Sequence, residues 1–145
     1  MNIKQFFKIS ALLIVPASLI TGCLGLLDTV VTNKYQNYQQ VVSEGAFDKG
    51  WIPEFLPTSA FNILEKYDLD TNEIILKFSF DINESTNLTQ NCNPVAQVLP
   101  PRLLKADWWS NELVISSQNR FYCEETGAYM VVDEDNTVYY WKPSS

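Results

Sequence analysis

An uncharged apolar run near the amino terminus, residues 9–20, limits how much of this chain can fold as a domain. At about 1.5 Å per residue the run would extend roughly 18 Å, too short for the hydrocarbon core of a bilayer. Pro16 also interrupts it, and two lysines but no acid precede it, Lys4 and Lys8. This order is typical of a cleaved signal peptide. We predict a leader over residues 1–22 and one domain over residues 23–145.

The residues after this run are an aliphatic residue, two small residues and a cysteine, Ile20-Thr21-Gly22-Cys23. This motif resembles the lipobox of bacterial lipoprotein precursors. The resemblance implies that Cys23 receives a diacylglyceryl group, becomes the first mature residue and is acylated, as with palmitate, on its amine. Because the family's sorting rule retains proteins with Asp at the next position in the inner membrane, Leu24 implies the periplasmic side of the outer membrane. An ordinary cleaved leader followed by a free cysteine is the alternative.

The charge balance argues against several classes of protein. The chain has 10 basic residues, 17 acidic residues and no histidine. Since Lys4 and Lys8 lie in the leader, residues 23–145 keep 8 basic and all 17 acidic residues, a net charge of −9. Nucleic-acid binding needs clustered Lys or Arg and is not expected. The absence of histidine excludes Ser-His-Asp and Cys-His catalysis and histidine-ligated metals.

Cys92 and Cys123 are the two thiols left after Cys23. In the oxidising compartment that the leader implies, they are expected to form one disulfide. The bond would close a loop of 31 residues and stabilise the fold by about 3–4 kcal/mol in the chain-entropy model. A redox-active pair is the alternative, but the spacing is not that of a C-x-x-C motif.

The segment after the leader has one apolar stripe at three- and four-residue spacing. It consists of Leu27, Val30, Val31, Tyr35, Tyr38, Val41 and Val42. This periodicity predicts an N-terminal amphipathic helix with Asp28 or Thr32 as its N-cap and Gly45 in the left-handed conformation beyond its end. We expect the helix to pack on a sheet, because its stripe has to be buried.

Alternating apolar residues on both sides of polar turns predict two antiparallel hairpins. The first joins residues 62–68 to residues 73–80, and the second joins residues 128–133 to residues 137–141. The remaining expectations are a surface loop over residues 81–97, a helical turn near residues 107–111, and strands over residues 113–116 and 120–123. The predicted fold class is α+β: one N-terminal amphipathic helix on a small antiparallel sheet built from hairpins, with one disulfide.

Two acidic features have a possible chemical role. Residues 68–72, Asp-Leu-Asp-Thr-Asn, resemble the opening of an EF-hand calcium loop, but Glu73 stands where glycine is needed and Ser79 where a bidentate carboxylate is needed. These are also ordinary turn residues, so a hairpin turn is expected and no metal. Seventeen acids could supply the carboxylate pair of a glycosidase, yet no spacing singles out two of them. We expect no catalytic residue and no cofactor.

Aromatic residues are numerous for a domain of this size. They are Trp51, Trp108, Trp109, Trp141, Tyr122, Tyr129, Tyr139 and Tyr140. Adjacent aromatics on a strand point to opposite faces, so some rings could be exposed and stack on a sugar or a partner protein. The alternative is that these rings fill the core of a small sheet domain. The four tryptophans are the predicted binding residues.

The segment from Trp51 through the first hairpin, with residues 122–123 and 139–141, is similar to small uncharacterised bacterial envelope proteins. The resemblance implies a shared fold and supplies no catalytic residues. We expect a non-enzymatic outer-membrane lipoprotein whose periplasm-facing domain binds an envelope protein or glycan, or supports envelope assembly. The alternatives are an inhibitor of a basic hydrolase such as lysozyme, which the negative charge would attract, and a small glycan hydrolase using two carboxylates.

Overall fold

The computed structural model describes residues 29–84 and 88–145, so the expected leader and Cys23 lie outside the described residues. Within them, seven β-strands form one sheet. The strands are β1 (Val30–Asn37), β2 (Phe61–Asp68), β3 (Ile74–Ser79), β4 (Cys92–Pro94), β5 (Arg120–Cys123), β6 (Ala128–Val132) and β7 (Thr137–Lys142). Two short α-helices, α1 (Tyr38–Ser43) and α2 (Asn111–Ser116), and two 3₁₀ turns, Phe47–Lys49 and Ile82–Glu84, accompany them.

The sheet consists of two antiparallel meanders joined in the middle. Its order is β1-β2-β3-β7-β6-β5-β4, and all neighbouring strands pair antiparallel. The last strand of each meander, β3 and β7, pair with each other over six registered positions. Both central strands contain runs of buried residues rather than an alternation, because the chain covers both sides of the sheet.

Each face of the sheet has its own hydrophobic cluster. The first face presents Ile63, Leu76, Phe78, Met130, Val138 and Tyr140, and residues 41–60 together with Leu88 pack on it. The second face presents Ile75, Val131, Tyr139 and Trp141. It is covered by residues 98–115, which we call the cover segment and which contributes Leu104, Trp109 and Val114 to the cluster. The sheet therefore lies between two layers of mostly irregular chain.

The predicted N-terminal amphipathic helix is wrong, and with it the predicted α+β fold class. Most of that segment is β1, which pairs with β2, and only α1 is helical. Along β1, Val31, Asn33 and Tyr35 are buried or half-buried, whereas Thr32 and Lys34 between them are exposed. Val31 and Tyr35 are four residues apart, a spacing that fits both a helical turn and a two-residue strand period, and pairing with β2 decides between the two. The fold is mainly an antiparallel sheet.

The ends of α1 agree only partly with expectation. The N-cap is Asn37, whose side-chain oxygen accepts a hydrogen bond from the Gln40 backbone N–H at 3.0 Å. The proposed cap Thr32 lies inside β1, and Asp28 lies outside the described residues. Gly45 follows the helix with a φ of +61°, which confirms the predicted left-handed position.

The two predicted hairpins are confirmed as β2–β3 and β6–β7. In the first turn the Asp68 carboxylate accepts a hydrogen bond from the Asp70 backbone N–H at 3.0 Å, which lowers the pKa of Asp68. Asn72 and Asn136 take positive φ values in the two turns, as asparagine does more readily than most residues. The expected turn chemistry of residues 68–72 therefore holds.

The predictions for the segments between the two hairpins are only partly confirmed. The predicted strand over residues 120–123 is confirmed as β5, but residues 113–116 belong to α2 and not to a strand. The expected helical turn near residues 107–111 is a turn at residues 107–108, followed by the start of α2 at Asn111. The predicted loop over residues 81–97 contains a 3₁₀ turn and β4. Short apolar runs do not distinguish helix from strand, which explains the error at residues 113–116.

The predicted disulfide is present and joins two neighbouring strands. Cys92 in β4 and Cys123 in β5 are directly opposed in the ladder, with their sulfur atoms 2.02 Å apart and their Cα atoms 4.1 Å apart. Because the cover segment lies between these cysteines in the chain, the bond closes the loop that covers the second face.

Candidate binding site

The cover segment is attached to the first hairpin by a buried carboxylate. Glu73, 1% exposed, accepts hydrogen bonds from the backbone N–H groups of Leu103 and Leu104 at 2.6 and 3.0 Å. Hydrogen bonds to a charged acceptor contribute more to stability than neutral ones. Glu73 therefore fixes the chain where it begins to cross the second face.

Two lysines on the second face hold the next part of the cover segment. The Lys66 ammonium donates to the Lys105 carbonyl oxygen at 2.8 Å, and the Lys77 ammonium donates to the Trp108 carbonyl oxygen at 3.4 Å. The Lys77 ammonium also lies 5.3 Å from the centre of the Tyr139 ring. The cover segment is irregular at these positions, so its carbonyl oxygens do not take part in a strand ladder. The two lysines supply hydrogen-bond donors for them.

Aromatic rings on the second face form a contiguous array. Tyr122, Tyr129 and Trp141 are aligned across β5, β6 and β7 by the strand register. Neighbouring rings in this row have their centres 5.0 and 5.6 Å apart. From the cover segment, Trp109 packs edge-on against Trp141 at 5.8 Å and against Tyr139 at 5.3 Å. Such geometries are favourable for aromatic pairs and help to hold Trp109 in one orientation.

A pocket of about 380 Å³ opens beside this array. Its apolar wall consists of Val98, Leu99, Pro100, Pro101, Val114 and Ile115, with Trp109 and Trp141 at the aromatic side. Val98 is 93% exposed and Ile115 is 72% exposed, so the rim presents aliphatic side chains to solvent. Exposed apolar groups around a concave site are typical of a binding surface.

Two arginines, Arg102 and Arg120, complete the lining with Asn111. The Arg102 guanidinium lies 4.7 Å from the centre of the Trp109 ring and donates to the Asn111 side-chain oxygen at 2.7 Å. Burial lowers the pKa of Arg102, and the nearby Glu73 carboxylate opposes that shift. The pocket therefore combines an apolar wall with positive charge.

The structure brings three of the four predicted binding tryptophans together and separates the fourth. Trp109 and Trp141 are 8% and 1% exposed, and Trp108 beside them is half-buried. Trp51 stacks on Tyr67 with a ring-centre distance of 3.5 Å, and Tyr67 lies on the opposite face of β2 from Lys66. The rings are thus mainly core and boundary residues, and the exposed surface at the pocket is aliphatic.

The two arginines and the aliphatic rim are not predicted by the sequence patterns above. Residues 98–101, Val-Leu-Pro-Pro, contain the one local indication of the rim. Prolines favour an irregular segment, such segments lie on the surface, and apolar side chains there can form a binding surface. Nothing in the local sequence indicated that Arg120 and Trp141 would line the same pocket, since this depends on the pairing of β5, β6 and β7.

Buried carboxylates do not form a catalytic pair in the described residues. Besides Glu73, Glu65 is 1% exposed, and it accepts hydrogen bonds from the Asn33 amide at 2.8 Å and the Tyr35 hydroxyl at 3.3 Å. Burial raises the pKa of Glu65. Glu65 lies with Tyr35 on the first face, whereas Glu73 binds the cover of the second face. The sheet therefore separates the two carboxylates.

Other candidate chemistry is limited in the same part of the chain. Burial raises the pKa of Tyr35, and it raises the pKa of Tyr140 to about 12, so neither phenol is poised to act as a base near neutral pH. In residues 29–84 and 88–145, no group of three or more His, Cys, Asp or Glu side chains could hold a metal ion.

Comparison with known families gives one match. Residues 29–79 match the family model of the YbbD head domain, which covers 51 of the 145 residues, from the start of β1 to the end of β3. The match agrees with the expected similarity to small bacterial envelope proteins, and the lipobox at Cys23 lies outside the matched residues. None of the residues that line the pocket lies within it. No curated protein and no solved structure matches the chain.

Proposed function

We propose that this protein is a non-enzymatic lipoprotein of the outer membrane whose domain binds an envelope component through the pocket on the second face. The pocket is the observation that carries the proposal. Its volume of about 380 Å³ is within the range of small-ligand sites, and its rim exposes Val98 and Ile115. Aliphatic side chains grouped in this way lose contact with water when a partner binds, which favours association.

The membrane anchor in this proposal rests on the lipobox resemblance at Cys23. Each buried CH₂ group contributes about 0.8 kcal/mol, so two or three acyl chains would hold the domain on a bilayer with long residence. Among the described residues, no helix has the length and apolar character required to cross a membrane. Leu24 supports the outer membrane as the destination.

Metabolic labelling with an alkyne analogue of palmitate tests the anchor. The wild-type protein should be labelled and should fractionate with the outer membrane, whereas Cys23→Ser should lose both properties. A Val42→Ser variant is a suitable control, since it changes an exposed side chain of α1 and leaves both the lipobox and the disulfide intact. Equal labelling of the wild type and Cys23→Ser would contradict the proposed anchor.

Site-specific photo-crosslinking in the native host tests the binding site. A photoreactive amino acid replaces Ile115 at the pocket rim or, as the control, Val42 in α1, which is 53% exposed and does not line the pocket. The Ile115 position should yield a discrete adduct with one envelope component, and the Val42 position should not. Identical products from both positions would count against the pocket as the binding site.

The inhibitor of a basic hydrolase is the less favoured alternative. Exposed acids occur in the β5–β6 turn, at Glu124 and Glu125, and in the β6–β7 turn, at Glu134 and Asp135. The five residues of β6 separate these turns by about 17 Å, so the acids do not form one patch. Inhibition of lysozyme by stoichiometric amounts of the protein would favour this alternative over the pocket.

A further inference from the structure

The pocket differs in charge from the rest of the domain. Residues 23–145 carry 17 acidic and 8 basic residues, yet two of the basic residues, Arg102 and Arg120, line the pocket and no carboxylate does. A site with this lining attracts anions in spite of the negative charge of the whole domain, because interactions within a few ångströms are screened less than distant ones.

The hydrogen-bond partners of both guanidinium groups are neutral oxygens. Arg102 donates to the Leu104 carbonyl oxygen and to the Asn111 side-chain oxygen, and Arg120 donates to the carbonyl oxygens of Ser117 and Ile115. These bonds fix the orientation of the guanidinium planes but do not neutralise their charge. Arginine presents five N–H donors, so each group retains donors for a further acceptor.

Glu73 is the acid that acts electrostatically on Arg102. Its two carboxylate oxygens already accept hydrogen bonds from the Leu103 and Leu104 backbone N–H groups, and Glu73 is not part of the pocket lining. It therefore reduces the positive potential near Arg102 without occupying the anion position. Arg120, on β5, has no such acid among the partners described above.

We infer that the pocket binds a small amphiphilic carboxylate, in which an aliphatic chain lies against the apolar wall and the carboxylate is bound by Arg102 and Arg120. The aliphatic rim with Val98 and Ile115 requires an apolar body, and the arginines require an anionic head. A volume of about 380 Å³ accommodates a medium-length acyl chain. This inference rests on the proposed role of the pocket and names the chemical class of its ligand.

Titration with three probes that each carry an eight-carbon chain tests the inference. The mature lipid-anchored protein is placed in phosphatidylcholine nanodiscs, empty discs correct for partitioning, and tryptophan fluorescence reports binding because Trp109 and Trp141 line the pocket. Octanoate should bind saturably and at least tenfold more tightly than octanol or octyltrimethylammonium, and added salt should weaken it. Equal affinity for all three probes, or no saturable octanoate binding, would overturn the inference.

Matched substitutions assign the binding to the pocket. Ile115→Asp adds a negative charge at the rim and should weaken octanoate binding at least tenfold, whereas Val42→Asp makes the same charge change outside the pocket and should alter it less than twofold. Arg120→Gln should weaken octanoate binding about tenfold and leave octanol binding unchanged. Equal effects of Ile115→Asp and Val42→Asp, or parallel losses of octanoate and octanol in Arg120→Gln, would overturn the assignment.

The two proposals fail in distinguishable ways. If octanoate does not bind but the photoreactive residue at position 115 yields a specific adduct, the ligand class is wrong and the binding function stands. If octanoate binds saturably but no envelope adduct forms, the pocket is a carboxylate site and the proposed envelope partner is wrong.

Discussion

The two faces of the sheet are both buried, but the chain covers them by different means. On the first face, a continuous cluster of aliphatic and aromatic side chains extends from Tyr35 to Tyr140, with residues 41–60 packed on it. On the second face, the smaller cluster around Trp109 and Trp141 is covered by one long segment. That segment is held by the charged groups of Glu73, Lys66 and Lys77 and is closed by a disulfide.

This difference relates stability to binding within one domain. Continuous apolar packing fills the first face, so this face contributes most of the hydrophobic stabilisation of the fold. A cover held by a few polar contacts and a covalent bond leaves a pocket at its margin, with Val98 and Ile115 exposed. Four predictions test this difference between the faces, in order of decreasing effect.

Phe78→Ala on the first face is expected to have the largest effect. Phe78 is fully buried, and removing a buried phenylalanine side chain destabilises a core by about 3–5 kcal/mol. Val98→Ala, at the exposed rim of the pocket, should change the free energy of unfolding by less than about 0.5 kcal/mol. Urea denaturation of both variants measures the difference, and similar losses would contradict the division of roles between the faces.

Replacing both cysteines, Cys92→Ser with Cys123→Ser, should lower the free energy of unfolding by about 3–4 kcal/mol, since the unfolded chain regains the entropy of the open loop. Because the cover segment lies in this loop, the Trp109 backbone N–H, which donates to the Ala106 carbonyl oxygen, should exchange faster, and exchange around Phe78 should change less. Hydrogen exchange resolved by residue checks this. Uniform loss of protection on both faces would show that the bond does not act mainly on the cover.

Glu73→Gln removes the charge from the acceptor of two backbone N–H groups and should destabilise the protein by about 1.5–3 kcal/mol. The effect should be local, with faster hydrogen exchange at Leu103 and Leu104 than elsewhere. Glu84→Gln serves as a control with the same chemical change at a half-buried carboxylate away from the cover. Equal effects of the two substitutions would contradict a specific role of Glu73.

Protonation of Glu65 should have the smallest effect on the free energy of unfolding, and it should stabilise the protein where the three changes above destabilise it. Burial raises the pKa of Glu65 in the folded state above its unfolded value, despite hydrogen bonds from Asn33 and Tyr35 and the charge of Lys49. The folded protein then takes up the proton first, so stability should rise as the pH falls through the folded pKa and level off below the unfolded pKa. Thermal unfolding between neutral pH and about pH 4.5 measures this gain.

Glu65→Gln provides the control for this pH dependence. The variant should be at least as stable as the wild type at neutral pH and should lose the rise in stability over the same interval. Asp68, whose pKa is lowered, loses its contribution only at more acidic pH and does not interfere. A rise that persists in Glu65→Gln would assign the titration to another group.

Local patterns predicted those parts of the fold that depend on adjacent residues. The hairpins β2–β3 and β6–β7 follow from alternating side chains on both sides of turns that contain Asn72 and Asn136. The disulfide followed from the presence of only two thiols beyond Cys23. The helix predicted over residues 30–37 is wrong because the four-residue spacing of Val31 and Tyr35 fits a helix as well as a strand, and only the pairing with β2 selects the strand.

The candidate site was less predictable because its residues are far apart in the chain. The sequence predicts Trp109 and Trp141 as binding residues, but their burial depends on how the cover segment lies on β7. Val98, Arg102 and Arg120 line one pocket only because β5, β6 and β7 pair in a particular order. Periodicity and composition contain no information about this order.

Neighbouring residues encode the local features of this protein: where the chain turns, which thiols could pair, and a lipobox-like motif at Cys23. The pairing of distant segments makes residues 30–37 a strand, buries most of the tryptophan surface, and places two arginines in the lining of one pocket with an apolar wall. These two groups of features differ in the distance along the chain over which their interactions act. Turn geometry and covalent chemistry act between neighbouring atoms, whereas the burial of a side chain depends on segments brought together by the whole sheet.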